Sequence, residues 1–271
     1  MVRFLASAAA LALASPSASQ APSTGVAVHA FECGRLVQPD LGRFNDIYRF
    51  RGQRREFAAG CFLIRHPKGN LLLWDAGLNA AMAAGSPTMM LGLPIPERLR
   101  ALGMTPGDVT HVGISHYHAD HSGGAADFPR AELLIGRGDW EALKAMKPEE
   151  RPAQNLAPWL TGGGKVTPVA ADRDVFGDGL VTMLAMPGHT AGHTALLVKL
   201  SDGWLLLSGD QYHFRENRAV RGVPVFNANR ADTLASHDRF EAIAANLKAR
   251  VVIQHDPRDL ASLPAFPAAL R

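Results

Sequence analysis

The segment Ser115-His116-Tyr117-His118-Ala119-Asp120-His121 places three imidazoles and a carboxylate directly after an apolar run at 109–114. That run predicts a strand. In extended chain, side chains two residues apart point the same way, so His116 and His118 can bind one ion. A turn into helix at Asp120 would carry Asp120 and His121 to a neighbouring position. Imidazole and carboxylate groups suit Zn²⁺ and similar ions, so the segment indicates a metal site.

Further candidate ligands follow other predicted strands. His189 follows the apolar run 180–186, Asp210 follows 204–207, and His255 follows 251–254. Functional groups in open α/β structures gather at strand ends. Each of these residues alone could be an ordinary polar loop residue, but together with the first segment they favour two metal positions. We expect Asp75, which also follows a strand, to support the metal loop through hydrogen bonds.

The pattern of strands and helices predicts an α/β fold with mixed sheets. Strand-like runs occur at 26–31, 47–50, 131–135 and in two predicted hairpins, 61–74 and 195–207. Helical patterns at 96–102, 139–146 and 231–247 lie between them. Because hairpins accompany the alternation, the sheet cannot be the all-parallel sheet of a simple doubly wound fold. No linker divides the chain.

The amino terminus is typical of an export signal. Arg3 forms a positive start, residues 4–14 are apolar, and Ser17-Ala18-Ser19 offers a small-residue cleavage site. The alternative is an Ala-rich terminus without a targeting role. The apolar run falls short of the roughly 20 residues that span a bilayer. We therefore expect a signal peptide at 1–19, one mature domain at 20–271, a periplasmic or secreted location, and no stable membrane anchor after cleavage.

Composition limits the partners. The chain has 271 residues, 47% hydrophobic and 20% charged, with a formal net charge of +3. It carries no basic tract of the kind that binds nucleic acid, so we expect a small-molecule substrate. The two cysteines, Cys33 and Cys61, could form a disulfide after export, or Cys61 could be a buried thiol. Nothing in the sequence indicates the oligomeric state.

From residue 26 to the His255 loop, these motifs resemble the metallo-β-lactamase superfamily. The resemblance implies a four-layer αββα sandwich with two divalent transition-metal ions at one edge of the sheets. Zn²⁺ is expected first, and Fe, Mn and Co share such ligands. It also implies that a hydroxide held between the ions attacks a carbonyl. The implied ligands are His116, His118 and His189 for the first metal, Asp120, His121 and His255 for the second, and Asp210 as the bridge.

Within the superfamily, the pattern is most similar to N-acyl-homoserine lactonases. They share the seven ligands and a strand ending in His-Asp, here His255-Asp256. They also place a tyrosine shortly after the bridging aspartate, where it contacts the substrate carbonyl. Tyr212 is the candidate here, although it lies one residue nearer to Asp210 than in those enzymes. Asp120 is the expected proton donor to the leaving group.

Other functions remain open at this point. The site could act on another ester, a thioester or a β-lactam, as in enzymes similar to glyoxalase II or zinc β-lactamases. The chain could also bind metal without catalysis, although a structural zinc site is usually closed and four-coordinate. The segment 78–96, rich in Ala, Met, Leu and Pro, could wall the site and bind an acyl chain. Alternatively, it packs on the core or between subunits.

Overall fold

The computed structural model describes residues 25–271, and the predicted signal peptide at 1–19 lies outside the described residues. One mixed sheet has the strand order β4-β1-β2-β3-β5-β6-β7, in which β3, β5, β6 and β7 run parallel. Its strands are β1 (Ala27–Gln38), β2 (Arg55–Arg65), β3 (Leu71–Trp74), β4 (Met89–Leu91), β5 (His111–Ile114), β6 (Glu132–Gly136) and β7 (Val166–Val169).

A second mixed sheet has the order β12-β11-β10-β9-β8. Strands β11 and β12 are parallel, whereas β9, β10 and β11 form antiparallel pairs. Its strands are β8 (Arg173–Asp174), β9 (Val181–Ala185), β10 (Thr194–Lys199), β11 (Trp204–Leu207) and β12 (Arg250–Val252). The expectation of an α/β fold with mixed sheets is confirmed.

Helices join these strands in the part of the chain that the structure describes. They are α1 (Ala80–Ala83), α2 (Ile95–Ala101), α3 (Ala119–Ser122), α4 (Arg137–Ala145), α5 (Arg151–Asn155), α6 (Ala157–Leu160), α7 (Arg215–Ala219), α8 (Arg230–Asn246) and α9 (Pro257–Leu260). Short 3-10 turns occur at Leu41–Phe44, Pro106–Asp108, Ala125–Asp127 and Gly209–Gln211. Among the described residues, no helix is both long and apolar enough to cross a membrane.

Three layers of buried side chains hold this arrangement together. Phe62 and Trp74 of the first sheet pack with Leu196 and Leu205 of the second, which fills the space between the sheets. Leu99 and Leu143 cover the first sheet from outside. Phe240 of α8 covers the second sheet. The layers are therefore helix, sheet, sheet and helix, because each sheet buries both of its apolar faces.

The topology brings the carboxyl ends of several strands to one edge. The first sheet contributes the loops after β3, β5 and β6, and the second contributes those after β11 and β12. All the polar segments that the sequence singled out lie in these loops or in the loop after β9. Elsewhere in the first sheet, Cys33 and Cys61 form a disulfide between β1 and β2.

The run 47–50 is not a strand, contrary to the sequence-based prediction. The Asn45 side chain accepts hydrogen bonds from the backbone N–H groups of Ile47 and Arg49. Tyr48 has a φ of 60°, in the left-handed region. A side chain that bonds nearby backbone competes with ladder formation, so this apolar run folds as a turn.

Candidate metal centre

Strand β5 ends at Ile114, the chain bends through residues 115–117, and α3 begins at Ala119. This break carries Asp120 and His121 on the helix while His116 and His118 precede it, as the sequence predicted. Gly123 and Gly124 lie against the loop after β3, where a Cβ atom would collide with backbone carbonyl oxygens of Gly77 and Ala76. Both positions therefore need glycine for close backbone approach.

Three histidines form one group of potential ligands, which we call the triple-histidine half. His116 Nε2 lies 2.9 Å from His118 Nδ1, and His189 Nε2 lies 3.1 Å from the same atom. His116 and His189 are fully buried, and His118 is partly exposed. The loop after β9 supplies His189 to the pair at the end of β5, although the residues are far apart in sequence.

Asp120, His121 and His255 form a second group, the mixed half. His121 Nε2 lies 3.1 Å from His255 Nε2, which lies 3.6 Å from Asp120 Oδ2. His255 follows β12 and His121 belongs to α3, so the two sheets meet at this group. Both imidazoles are buried, and about a quarter of the Asp120 side chain is exposed.

Asp210 lies between the two halves and presents one oxygen to each. Its Oδ2 is 3.6 Å from His116 Nε2 and 3.3 Å from His189 Nε2. Its Oδ1 is 3.2 Å from His121 Nε2 and 3.1 Å from His255 Nε2. The structure thus brings all seven candidate ligands together, in the grouping that the family resemblance implied.

The chemistry of these donors fits a pair of cations. Asp210 Oδ1 is buried without a hydrogen-bond partner, and ring nitrogens of adjacent histidines face each other. Two facing imidazole nitrogens can share at most one proton, and a buried carboxylate oxygen without a partner is costly. A divalent ion in each half would satisfy all of these atoms at once.

The histidines and the carboxylate shift each other's pKa. Burial alone would raise the pKa of Asp210, but the surrounding histidines, led by His213, hold it well below its usual range. Burial lowers the pKa of His116 well below its ordinary value. Burial also acts to lower the pKa of His121, but Asp210 and Asp75 outweigh it and raise that pKa. Buried groups with shifts of this kind cluster at functional sites.

Comparison with known proteins identifies the family. The family model described as "Metallo-beta-lactamase superfamily" matches residues 54–255. The chain belongs to the metallo-β-lactamase superfamily. The N-acyl homoserine lactonase AttM of Azorhizobium caulinodans is 32% identical to it, over 76% of this chain and 84% of the relative. AttM of Agrobacterium fabrum is 31% identical, over 80% of this chain and 88% of the relative.

Solved structures agree on the fold. A quorum-quenching N-acyl homoserine lactone lactonase superposes with a TM-score of 0.77 at 22% identity, covering 92% of this chain and 100% of that chain. A mutant of Bacillus thuringiensis AiiA with N-decanoyl-L-homoserine at its active site gives 0.75 at 21% identity, with the same coverage. The chain therefore has the metallo-β-lactamase fold that the sequence motifs implied.

A histidine that binds metal through one ring nitrogen needs a partner for the other, and three candidates have one here besides His121, which contacts Asp75. His116 Nδ1 lies 3.1 Å from Ser115 Oγ, and His189 Nδ1 lies 2.8 Å from Asn227 Oδ1. His255 Nδ1 lies 2.6 Å from the Ala58 carbonyl oxygen. These contacts orient each ring so that its other nitrogen faces the centre.

Asp75 supports the mixed half, as expected from the sequence. Its Oδ2 lies 2.8 Å from His121 Nδ1, and it accepts the Ser115 hydroxyl at 2.8 Å and the Ser115 N–H at 2.6 Å. Gln254 Nε2 also donates to it at 2.7 Å. Asp75 has a φ of 55°, a strained conformation for a residue other than glycine. The surrounding hydrogen bonds hold this strained residue in place.

Asp139 has a comparable role that the sequence analysis missed. From the first turn of α4 it accepts the Tyr117 N–H at 3.0 Å, the Thr190 hydroxyl at 2.8 Å and the Gly192 N–H at 2.6 Å. It therefore joins the loop that carries His116 and His118 to the loop that carries His189. Burial raises the pKa of Asp139 to about 6, although the three donors oppose that shift.

His193 is an outer partner rather than a member of either half. Its Nε2 accepts the Asp210 N–H at 2.8 Å, and its Nδ1 lies 3.0 Å from the Met186 carbonyl oxygen. Burial lowers the pKa of His193 to about 3, so the ring is neutral and can accept at Nε2. The imidazole thus fixes the backbone that presents the Asp210 side chain.

Tyr212 requires a correction. The structure buries it completely in the cluster beneath α8, where its ring stacks on His237 at 4.4 Å and contacts Phe240. Tyr212 is extended, so the next side chain points to the opposite side. That side chain is His213, whose Nε2 lies 3.0 Å from Asp210 Oδ2. The sequence analysis missed His213, although the short Tyr212 spacing was a signal for it.

The centre opens into a pocket of about 320 Å³. Its walls include the rings of Phe44, Phe57 and Phe226 and the side chains of Gln38 and Arg43. Segment 78–96 does not line this pocket; it lines a separate pocket of about 340 Å³ beside Cys33. Of the two alternatives left open for this segment, the structure favours packing on the core, because β4 pairs with β1 as the edge strand of the first sheet and Leu78 and Met82 are buried in one cluster with Phe44.

Proposed function

We propose that the chain is a dinuclear metal-dependent hydrolase that opens a lactone ring, with N-acyl homoserine lactones as its substrate class. One observation carries the proposal: Asp210 presents one oxygen to each half beside an open pocket. A structural site would be closed and would need a single ion. The names of the AttM relatives support the lactone as substrate.

The seven candidate ligands would hold two divalent transition-metal ions, with Zn²⁺ expected first and Fe, Mn and Co as alternatives. When bound, such ions lower the pKa of a shared water and polarise a carbonyl. The ligands are His116, His118 and His189 in one half, Asp120, His121 and His255 in the other, and Asp210 between them.

Asp120 is the group we expect to move the proton. It lines the pocket and is partly exposed, whereas Asp210 is almost fully buried. Burial acts to raise the pKa of Asp120, but His121 and His255 outweigh it and lower that pKa. An ionised Asp120 can accept the proton of the attacking water and deliver it to the leaving alkoxide oxygen.

The aromatic wall of the pocket suits the acyl chain. Phe44 and Phe226 contact each other with ring centroids 5.5 Å apart, and the Arg43 guanidinium lies over the Phe226 ring at 4.9 Å. These rings can bury an alkyl chain while Arg43 and Gln38 meet its polar amide. Such contacts act equally on substrate and transition state, so they should affect KM more than kcat.

A metal analysis and a substrate panel test the proposal. Elemental analysis of protein purified without chelator should give about two transition-metal ions per chain. Short- and long-acyl homoserine lactones, a thioester, a β-lactam and an aryl ester should then be compared by proton release. Fast lactone opening is the expected result. Fast cleavage of a thioester or β-lactam without lactone turnover would overturn the substrate class but not the metal centre.

We also propose that the chain is exported and loses residues 1–19. The three-part layout around Arg3 supports this. Mass determination of protein from the periplasm or medium should give a chain that begins at about Gln20. A full-length chain recovered from the cytosol would contradict it.

A further inference from the structure

His213 lies beside the centre, and neither the seven-ligand set nor the supporting contacts described above account for it. Its ring is almost fully buried, and its Nε2 lies 3.0 Å from Asp210 Oδ2. It stacks on His255 with centroids 5.5 Å apart and contacts Phe44 at 4.7 Å. It also lines the pocket. Its position beside Asp210 and His255 is close enough for it to serve as a further metal ligand.

The surroundings of Nδ1 show whether the His213 ring is suited to bind a metal through Nε2. Four candidate ligands, His116, His121, His189 and His255, have a polar partner at Nδ1. His213 Nδ1 is buried and has no hydrogen-bond partner. A ligand that binds through Nε2 must carry its proton on Nδ1, and a buried N–H without an acceptor is costly. The surroundings of His213 therefore disfavour ligation.

The opposite tautomer resolves this difficulty. With its proton on Nε2, His213 donates to the Asp210 carboxylate, and Nδ1 keeps only an acceptor lone pair. A hydrogen bond to a charged group is stronger than one between neutral groups. The hydrogen bond from His213 would hold the Asp210 carboxylate so that Oδ2 faces the triple-histidine half and Oδ1 faces the mixed half.

We propose that His213 is a positioning residue that donates from Nε2 to Asp210, and not an eighth metal ligand. The donated hydrogen bond draws electron density from Oδ2 and restrains rotation of the carboxylate. Both effects act on the group that the two halves share. The assignment rests on the proposed metal centre but not on the identity of the substrate.

Nitrogen NMR on the zinc-loaded full chain tests the tautomer. Long-range ¹⁵N–¹H spectra distinguish a neutral ring protonated at Nε2 from one protonated at Nδ1. We expect the His213 signal to show Nε2–H, and those of His116, His189 and His255 to show Nδ1–H. The signal that disappears in His213→Gln assigns the residue. An Nδ1–H tautomer for His213 would overturn the proposal.

Two variants test the positioning role. His213→Gln keeps an N–H donor near the position of Nε2, whereas His213→Phe keeps a ring without one. Both should retain about two metal ions per chain and the Co²⁺ absorption spectrum of the wild type, since no ligand is lost. His213→Phe should lower kcat about 10- to 100-fold with little change in KM, and His213→Gln should restore part of that loss. His111→Phe, at the far end of β5, serves as the control.

Each alternative result has a distinct meaning. Loss of one metal ion, or an altered Co²⁺ spectrum, in both variants would identify His213 as a ligand and refute the proposal. Equal kcat in wild type and His213→Phe would also refute it. If the wild type opens no lactone, kcat is measured on the best substrate of the panel. The NMR and metal readouts then still decide the role of His213, separately from the substrate class.

Discussion

The two halves of the centre share Asp210 but are supported in different ways. In the mixed half, the carboxylate of Asp75 contacts the ring of His121 directly. In the triple-histidine half, the outer partners are the neutral groups of Ser115 and Asn227. There, the charged residue, Asp139, holds the backbone instead of a ring.

The two halves therefore receive different kinds of support. Asp75 places a negative charge behind a ligand ring, whereas Asp139 fixes the positions of two loops. A carboxylate behind an imidazole makes that ring a stronger donor to a metal. The pKa of His121 is accordingly raised, whereas burial lowers the pKa of His116. Asp139 adds no such effect, but it fixes the distance between two loops. We therefore expect the mixed half to depend on Asp75 for affinity and the triple-histidine half to depend on Asp139 for shape.

The largest effect should come from Asp210→Asn, because both halves lose their common ligand. Asparagine has nearly the same shape but is neutral, so it bridges two cations poorly. We expect an activity loss greater than the roughly 100-fold caused by removing a residue that hydrogen-bonds to a metal ligand. Circular dichroism should show a retained fold. Asp202→Asn, in the exposed turn of the same hairpin, is the control. A variant that keeps both metals and wild-type turnover would contradict the bridging role.

Asp75→Asn should weaken metal binding in the mixed half more than in the triple-histidine half. The amide cannot accept from all the donors around Asp75, so the His121 ring loses its orientation and its charged partner. Metal affinity of the mixed half should fall about 10- to 100-fold, and that of the triple-histidine half should change less. Titration with a competing chelator, followed by the release of each ion, measures both. Equal weakening of the two halves would argue against separate support.

Asp139→Asn should give the reverse pattern, with loss in the triple-histidine half. The pH dependence sharpens the test. Burial raises the pKa of Asp139 to about 6, so the carboxylate takes up a proton as the pH falls through that value. A protonated carboxyl accepts fewer hydrogen bonds, so metal retention in this half should decline towards acid pH.

Chelator titrations at pH 7.5 and at about pH 5 provide the measurement. The wild type should lose affinity in the triple-histidine half more steeply than Asp139→Asn, whose loops are already loosened at both values. The two proteins share all seven ligands, so protonation of those ligands contributes equally to both. Identical pH profiles for the two proteins would show that Asp139 does not join the loops in this way.

Local patterns predicted the candidate ligands and the support from Asp75, but not the contacts that join distant segments around them. His189, Asp210 and His255 could be found because strand ends of one sheet edge collect functional groups. Asp139 could not be found, because its bonds to Tyr117 and Gly192 join segments that are distant in the chain. Such contacts exist only once the sheets have packed, and a sequence pattern carries no trace of them.

The smallest effect is expected for Tyr212→Phe. This variant distinguishes the role of Tyr212 from that of its neighbour His213, whose side chain points to the opposite side. The sequence placed Tyr212 beside the metals, but extended chain turns its ring towards His237 and leaves His213 beside Asp210. Loss of the hydroxyl should therefore leave kcat and metal content unchanged. The hydroxyl is buried without a hydrogen-bond partner, so its removal should change the free energy of unfolding by no more than about 1 kcal/mol. Urea unfolding and steady-state turnover, beside His213→Phe, make the comparison. If Tyr212→Phe lowered kcat as much as His213→Phe, a movement of this segment would have to bring the tyrosine to the substrate, and the division of roles between the two residues would be wrong.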